Sequence, residues 1–242
     1  MMLAPEDSEL DARLAVIGAQ AGFQLSADQI FQLRTYLAAL RRWNATINLT
    51  ALPLEGFPAA SLQRLIAEPL RGARLLRSAS HLPGRWFDLG SGSGSPALPM
   101  KVVIPSLPLT MVESRGRKAA FLRDVVAQMG IRESTVFSGR IEELSSEEPG
   151  CAALVSARAV RLDLGISSVI RHLMSTAGEI LLLGRSDWTA LSAFATLVTA
   201  IEEDGTVLLS VPRGTFINKS PQRLFIKGPK KRTNPLIFHL PH

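Results

Sequence analysis

The 242-residue chain has a single cysteine, Cys151, and four histidines. One thiol excludes an intrachain disulfide, and the scattered histidines offer no ligand spacing for a structural zinc, so no metal is expected. These scarcities fit a reducing cytoplasm. No stretch approaches the roughly 20 apolar residues of a membrane span. Residues 1–10 carry Glu6, Asp7 and Glu9 where a secretion signal would carry a basic region and an apolar run. Neither secretion nor membrane insertion is expected. Acid also runs out: no Asp or Glu follows Asp204, while Arg213, Lys219, Arg223, Lys227, Lys230, Lys231 and Arg232 follow it. The residues before this segment are close to neutral, so it accounts for the net charge of +6. A basic cluster beside a neutral body is the footprint of a polyanion partner. The alternative is a solvated, frayed tail.

With 46% hydrophobic and 20% charged residues, the chain can bury a large core. Helical patterning opens it. Spans 8–22 and 26–42 each begin with an N-cap serine, Ser8 and Ser26, and the second repeats leucine at Leu33, Leu37 and Leu40. A third helix is expected over 59–76, after Pro53, Gly56 and Pro58, and Pro83 with Gly84 then marks a break. From Arg85 onward short apolar runs alternate with amphipathic stretches, the pattern of a parallel sheet covered by helices. The expected strands are Arg85–Leu89, 107–112, Ser134–Phe137, 152–156, 180–183, 206–211 and 222–226. The expected helices are 97–104, Gly116–Met129, 163–174 and 187–203. The α/β reading is therefore a Rossmann-like fold with a seven-stranded, mostly parallel sheet and helices on both faces. A helical part at 1–80 precedes this domain at 81–242, which ends in the basic segment 213–242.

The sharpest local signal is the run from Phe87 to Pro96, an apolar strand end leading through Asp88 into Gly90, Gly92 and Gly94 and then a helix start. Glycines permit positive φ and let a ligand lie against the backbone. The helix start behind them presents free N–H groups to negative charge, here a methionine carboxylate. The spacing is G-x-G-x-G, with Ser95 where the dinucleotide fingerprint needs its third glycine, which favours S-adenosylmethionine over a nicotinamide cofactor. A plain glycine-serine turn is the competing reading. Glu113 ends the next apolar run about 20 residues past the glycines, where an acid accepts both ribose hydroxyls of an adenosine. The run Gly139, Arg140, Ile141, Glu142, Glu143 follows the third strand and would flank the adenine; alone it reads as the polar start of a helix.

Taken together these runs resemble the ribosomal small subunit methyltransferase G family, also called glucose-inhibited division protein B, over nearly the whole chain. The markers are W-N-A-T-I-N-L-T at Trp43 to Thr50, the loop from Asp88 to Pro99, Glu113 to Lys118 before Phe121 and Leu122, Arg140 to Glu143, Ser156 to Val160, and the basic tail through Pro235. The resemblance implies S-adenosylmethionine-dependent methylation of guanine N7 in bacterial small-subunit (16S) ribosomal RNA, with that RNA or the ribosomal particle as partner. Carried over by position, Gly90, Ser95, Ile141, Glu142 and Arg158 are implied cofactor contacts beside Asp88, Gly92 and Gly94. Glu113 stands where the family has its ribose acid, and Arg158 borders the guanine. Lys230, Lys231 and Arg232 are further RNA candidates. Guanine N7 has an in-plane lone pair and needs no deprotonation, so no general base is nominated; proximity and orientation suffice. An arginine at the reacting base could hold O6 only, because N7 must face the methyl.

The family pattern also has departures here. An R-H-x-x-D-S element becomes Arg64, Leu65, Ile66, Ala67, Glu68, Pro69; Ala97 replaces a glycine, Ala157 a serine and Leu183 a lysine, and Ser95 replaces a larger apolar residue. The alternative function is a diverged relative that binds cofactor or RNA without methylating that guanine. A small-molecule methyltransferase is disfavoured by the basic tail. Arg158 is expected to line the cleft and to add little to stability, the competing account being a structural pair with Glu142 or Asp163. Trp43, Asn44 and Asn48 are read as a helix end, with tryptophan in the core and Asn48 as a left-handed cap.

Overall fold

The computed structural model describes residues 5–76, 84–184, 187–201 and 205–211. Helix α1 (Pro5–Gln20) begins at a proline, whose fixed φ suits a first turn, so Ser8 lies inside the helix and does not cap it. Helix α2 (Ala27–Asn44) is capped by Ser26, whose hydroxyl accepts the Gln29 N–H at 3.2 Å while the Gln29 side chain accepts the Ser26 N–H at 3.0 Å. That reciprocal pair is a capping box. The buried face of α2 holds Leu33, Tyr36, Leu37 and Leu40. The helix expected over 59–76 forms as three continuous pieces: α3 (Ala59–Leu62), a π-helical turn (Gln63–Ala67) and α4 (Glu68–Leu75).

The sheet has strands β1 (Arg85–Leu89), β2 (Leu109–Val112), β3 (Ser134–Phe137), β4 (Ala152–Arg158), β5 (Met174–Leu183), β6 (Thr196–Ile201) and β7 (Thr206–Ser210). Their order is β3-β2-β1-β4-β5-β7-β6. The first five are parallel, and β7 runs antiparallel between β5 and β6. Strand residues alternate between the faces, as the pleat requires. Trp86, Leu109, Met111, Leu154, Leu181 and Leu183 share a core with α1, α2, α5 (Ala97–Val103) and α6 (Gly116–Met129). Phe87, Leu89, Val155, Ile180 and Leu182 share another with α7 (Leu164–Leu173). Lys101, 1% exposed, closes the turn from α5 to β2 by donating from Nζ to the carbonyls of Pro105 at 2.8 Å and Leu107 at 2.7 Å.

Two further expectations change. In place of the helix expected over 187–203, the described residues 187–201 form a 3-10 turn at Thr189–Leu191 and then edge strand β6. Four of the six β6 residues are β-branched, and pairing with β7 overrides the alternative pattern. This strand completes the seven; the expected strand 222–226 lies outside the described residues. The other change concerns the loop after α2. Asn44, not Asn48, closes it: Asn44 Oδ1 accepts the N–H groups of Leu49 and Thr50, each at 2.9 Å, and Nδ2 donates to the Thr50 carbonyl at 3.1 Å. Asn48 is exposed and has no left-handed backbone. Trp43 lies edge-on to Phe121 and donates from Nε1 to Asp124 at 2.6 Å, tying α2 to α6. Among the described residues no helix is long and apolar enough to cross a membrane.

Candidate active site

Strand order reverses between β1 and β4, and in open α/β sheets the crevice at such a switch point, beyond the carboxyl ends of the strands, receives the ligand. The glycine loop leaves β1 there. Gly90, Gly92 and Gly94 have φ of +68°, +50° and +81°, in the left-handed region. Gly90 is doubly required, since a Cβ on it would stand 2.9 Å from Cγ2 of Val160, just past β4. The loop is pinned by the Ser91 N–H to the Val112 carbonyl at 3.0 Å and the Gly94 N–H to the Ser91 carbonyl at 2.7 Å. Fully buried Tyr36 adds a tether from α2, its hydroxyl donating to the Ser93 carbonyl at 3.1 Å. Sequence reasoning misses this residue, which sits among leucines on a helix and reads as core; its being the chain's one tyrosine is the available signal.

Glu113, 7% exposed, follows β2 and faces the loop: Oε2 accepts the Gly92 N–H at 3.0 Å and Oε1 the Arg115 N–H at 2.8 Å. Each oxygen keeps a second lone pair, which suits the two ribose hydroxyls. Asp88 is fully buried at the end of β1. Trp86 donates from Nε1 to Ser156 Oγ at 2.7 Å, and Ser156 donates to Asp88 Oδ1 at 2.5 Å, leaving Oδ2 buried without a hydrogen bond. Burial raises the Asp88 pKa from the ordinary 3.8 to about 6, opposed by the Ser156 and Ser91 hydroxyls and by the Arg158 charge. After β3 a 3-10 turn (Ile141–Ser146) leaves Ile141 half-buried against the second core and Glu142 exposed.

Arg158, at the end of β4, is placed differently from expectation. Its side chain is 11% exposed and forms an ion pair at 3.0 Å with Glu68, itself 8% exposed. Arg158 Nη1 also donates to the Arg64 carbonyl at 2.8 Å and to Ser95 Oγ at 2.9 Å, and Ser95 Oγ in turn donates to the Leu65 carbonyl at 3.1 Å. Arg158 is therefore a largely buried, paired arginine and not a solvent-lined one, and its partner is Glu68 instead of Glu142 or Asp163. Burial first, and Arg64 next, pull its pKa down to about 10 while Glu68 opposes them. The accepting carbonyls belong to the π-helical turn, and Pro69, which has no N–H, cannot donate back to the Leu65 carbonyl.

Bonds thus join Gly92 to Glu113, and Ser95 to Arg158. Lys230, Lys231 and Arg232 lie outside the described residues. An open hollow of about 700 Å³ lined by Pro149, Gly150, Arg171, His172 and Met174 lies at the opposite end of the strands, where β5 begins. The residues at the crevice fit S-adenosylmethionine: a glycine cradle, a ribose-ready carboxylate, and in Asp88 Oδ2 an orphaned buried oxygen suited to an ammonium.

Comparison with known proteins agrees. The family model for rRNA small subunit methyltransferase G matches residues 29–211. A ribosomal RNA small subunit methyltransferase G of Roseiflexus sp. is 33% identical over 207 residues, covering 85% of each chain. One from Pseudomonas entomophila is 29% identical, covering 85% of this chain and 88% of its own. In fold, the chain is similar to a crystal structure from Methanococcus maripaludis described as an S-adenosyl-L-methionine-dependent methyltransferase, with TM-score 0.52 and 10% identity, covering 65% of this chain and 91% of that one. A family model spanning most of the chain, relatives along the same length, and a cofactor crevice at the switch point converge: the chain belongs to the rRNA small subunit methyltransferase G family of S-adenosylmethionine-dependent enzymes.

Proposed function

We propose that this protein methylates N7 of a guanine in small-subunit (16S) ribosomal RNA, acting in the cytoplasm on that RNA or on the ribosomal particle. The observation that carries the reading is the bond between the Gly92 N–H and Glu113, which fixes the glycine loop and the ribose acid in one frame at the switch point. In this reading Glu113 accepts the ribose hydroxyls, Gly90, Gly92 and Gly94 leave room for the cofactor backbone, and Asp88 Oδ2 accepts from its ammonium. Ile141 borders the adenine and Glu142 the edge of that pocket. Ser95, with its hydroxyl committed to Leu65 and Arg158, shapes the loop.

When bound, S-adenosylmethionine supplies an electrophilic methyl on a sulfonium. The protein's part is to hold the base in line with that methyl and to exclude water, which accounts for rate without any proton transfer to N7. A base inside an RNA stack must be splayed out to reach the crevice.

The experiment has two arms. Calorimetric titration of the purified protein with S-adenosylhomocysteine should give binding that Glu113→Ala weakens at least about tenfold, roughly 1.4 kcal/mol. Mass-spectrometric mapping of N7-methylguanosine in ribosomal RNA from a deletion strain should show one site lost and restored with the gene. Binding without any restored site would favour the diverged relative; absence of binding would overturn the cofactor assignment.

A further inference from the structure

Arg158 stands where a guanine-reading arginine is expected, yet both of its Nη groups are bonded inward, to Glu68, Ser95 Oγ and the Arg64 carbonyl, and its Nε is enclosed without a hydrogen bond among the described residues. Beside it among the described residues stands Arg64, which shares its carboxylate partner. Its side chain is 37% exposed, and its Nη1 donates to Glu68 Oε2 at 2.7 Å, the same oxygen that Arg158 holds. One carboxylate oxygen shared by two guanidiniums leaves the trio positively charged. Arg64 Nη2 has no hydrogen bond among the described residues and stands 3.1 Å from where a Cβ on Gly184 would lie. Its guanidinium thus lies over a residue with no side chain to cover it, at the carboxyl end of β5 next to β4. The backbone is held too, because the Arg64 carbonyl accepts from Arg158. The result is a partly exposed cation held at its carbonyl and at Nη1, with Nη2 unbonded among the described residues.

Position and chemistry then combine. With Glu113 after β2 taking the ribose, the acceptor base has the β4 and β5 side of the crevice. A guanine presenting N7 to the methyl has O6 beside it and can accept one N–H, not a bidentate pair. We infer that Arg64 donates from Nη2 to O6 of the target guanine, and that Arg158 and Glu68 are positioning residues that hold Arg64 in place. This rests on the guanine-N7 reading above and adds the residue that recognises the base.

The test compares small-subunit particles carrying guanine at the mapped nucleotide with particles carrying 2-aminopurine there, which keeps N7 and lacks O6. For the parent protein, removal of O6 should lower kcat/KM at least about tenfold, or roughly 1.4 kcal/mol. Arg64→Ala should lose a similar factor on guanine and almost nothing more on 2-aminopurine, while its affinity for S-adenosylhomocysteine stays within about twofold. Arg64→Lys, which keeps the charge beside Glu68, should recover stability if Arg64→Ala folds poorly, yet still discriminate less than the parent. Losses from the arginine and from O6 that simply multiply would overturn the assignment, as would undiminished activity in either variant. A parent protein that leaves the guanine particle unmethylated would overturn the proposed reaction, and this assignment with it.

Discussion

Glu68 and Arg158, 90 residues apart in sequence, meet at 3.0 Å where the helical rod of α3 and α4 crosses the end of β4. The pair is almost wholly out of water, and a buried charge stripped of its partner is costly. Glu68→Ala is expected to lower stability by about 3 to 5 kcal/mol. At about 2 to 4 °C per kcal/mol for a chain of this size, that is a melting-temperature drop on the order of 10 °C. Arg158→Ala should fall in the same range, against the roughly 0.5 kcal/mol of an exposed cleft residue. Thermal denaturation without cofactor decides it: a shift of only a degree or so for both variants would mean that the pair contributes little.

Asp88 gives a pH signature. Because burial raises its pKa to about 6, the folded protein holds that proton more tightly than the unfolded chain does. Its contribution to stability is therefore fully present below about 4, declines as pH rises towards about 6, and is constant above that. With Asp88 accepting from the cofactor's ammonium as proposed, binding is expected to have the opposite slope, because an ammonium prefers the ionised carboxylate. Titrations with S-adenosylhomocysteine from about pH 8 down to about pH 5 should show affinity falling below about 6. Asp88→Asn should bind more weakly and lose that dependence; a variant with the parent's slope would place the titrating group elsewhere.

Tyr36→Phe removes the tether between α2 and the loop and leaves the Ser93 carbonyl without its donor. The expected loss of stability is about 1 to 3 kcal/mol. Affinity for S-adenosylhomocysteine should fall several-fold, since the loop must then be ordered by the ligand. Unchanged affinity in a less stable variant would confine Tyr36 to the core.

Much of the fold and site is legible in the sequence because it depends on short-range pattern. The glycine alternation, the acid at the next strand end and the apolar runs of β1 to β5 are local signals, and the structure brings Gly92 and Glu113 into contact. What stays hidden depends on contacts across the chain. Glu68 reads as an altered family position until the fold sets it against Arg158. The π-helical turn has no marker within Gln63 to Ala67, and the Ser95 and Arg158 side chains that donate to its carbonyls lie 30 and 94 residues away. Strand β6 is concealed because Thr196–Ile201 falls inside the longer span 187–203, which reads as one helix until β7 offers an edge to pair with. Asn44 and Asn48 are indistinguishable in type; only the loop geometry selects Asn44.

The basic segment supports a prediction about salt. If Lys230, Lys231 and Arg232 neutralise phosphates, replacing all three by alanine should flatten the plot of log K against log salt, by about 0.7 to 0.9 for each phosphate no longer neutralised. The weakening should be similar across RNA sequences, as phosphate contacts carry no base information. Filter binding at several salt concentrations would measure it, and an unchanged slope would leave the segment as a solvated end.

Lys101 offers an experimental handle of a different kind. With its amine enclosed and shared between the Pro105 and Leu107 carbonyls, it is out of reach of acylating reagents in the native state. Amine-reactive labelling followed by peptide mapping should mark the partly accessible Lys118 early and leave Lys101 unmodified until the chain opens globally. The labelling rate of this one side chain would then report the unfolding equilibrium of the native sample without denaturant.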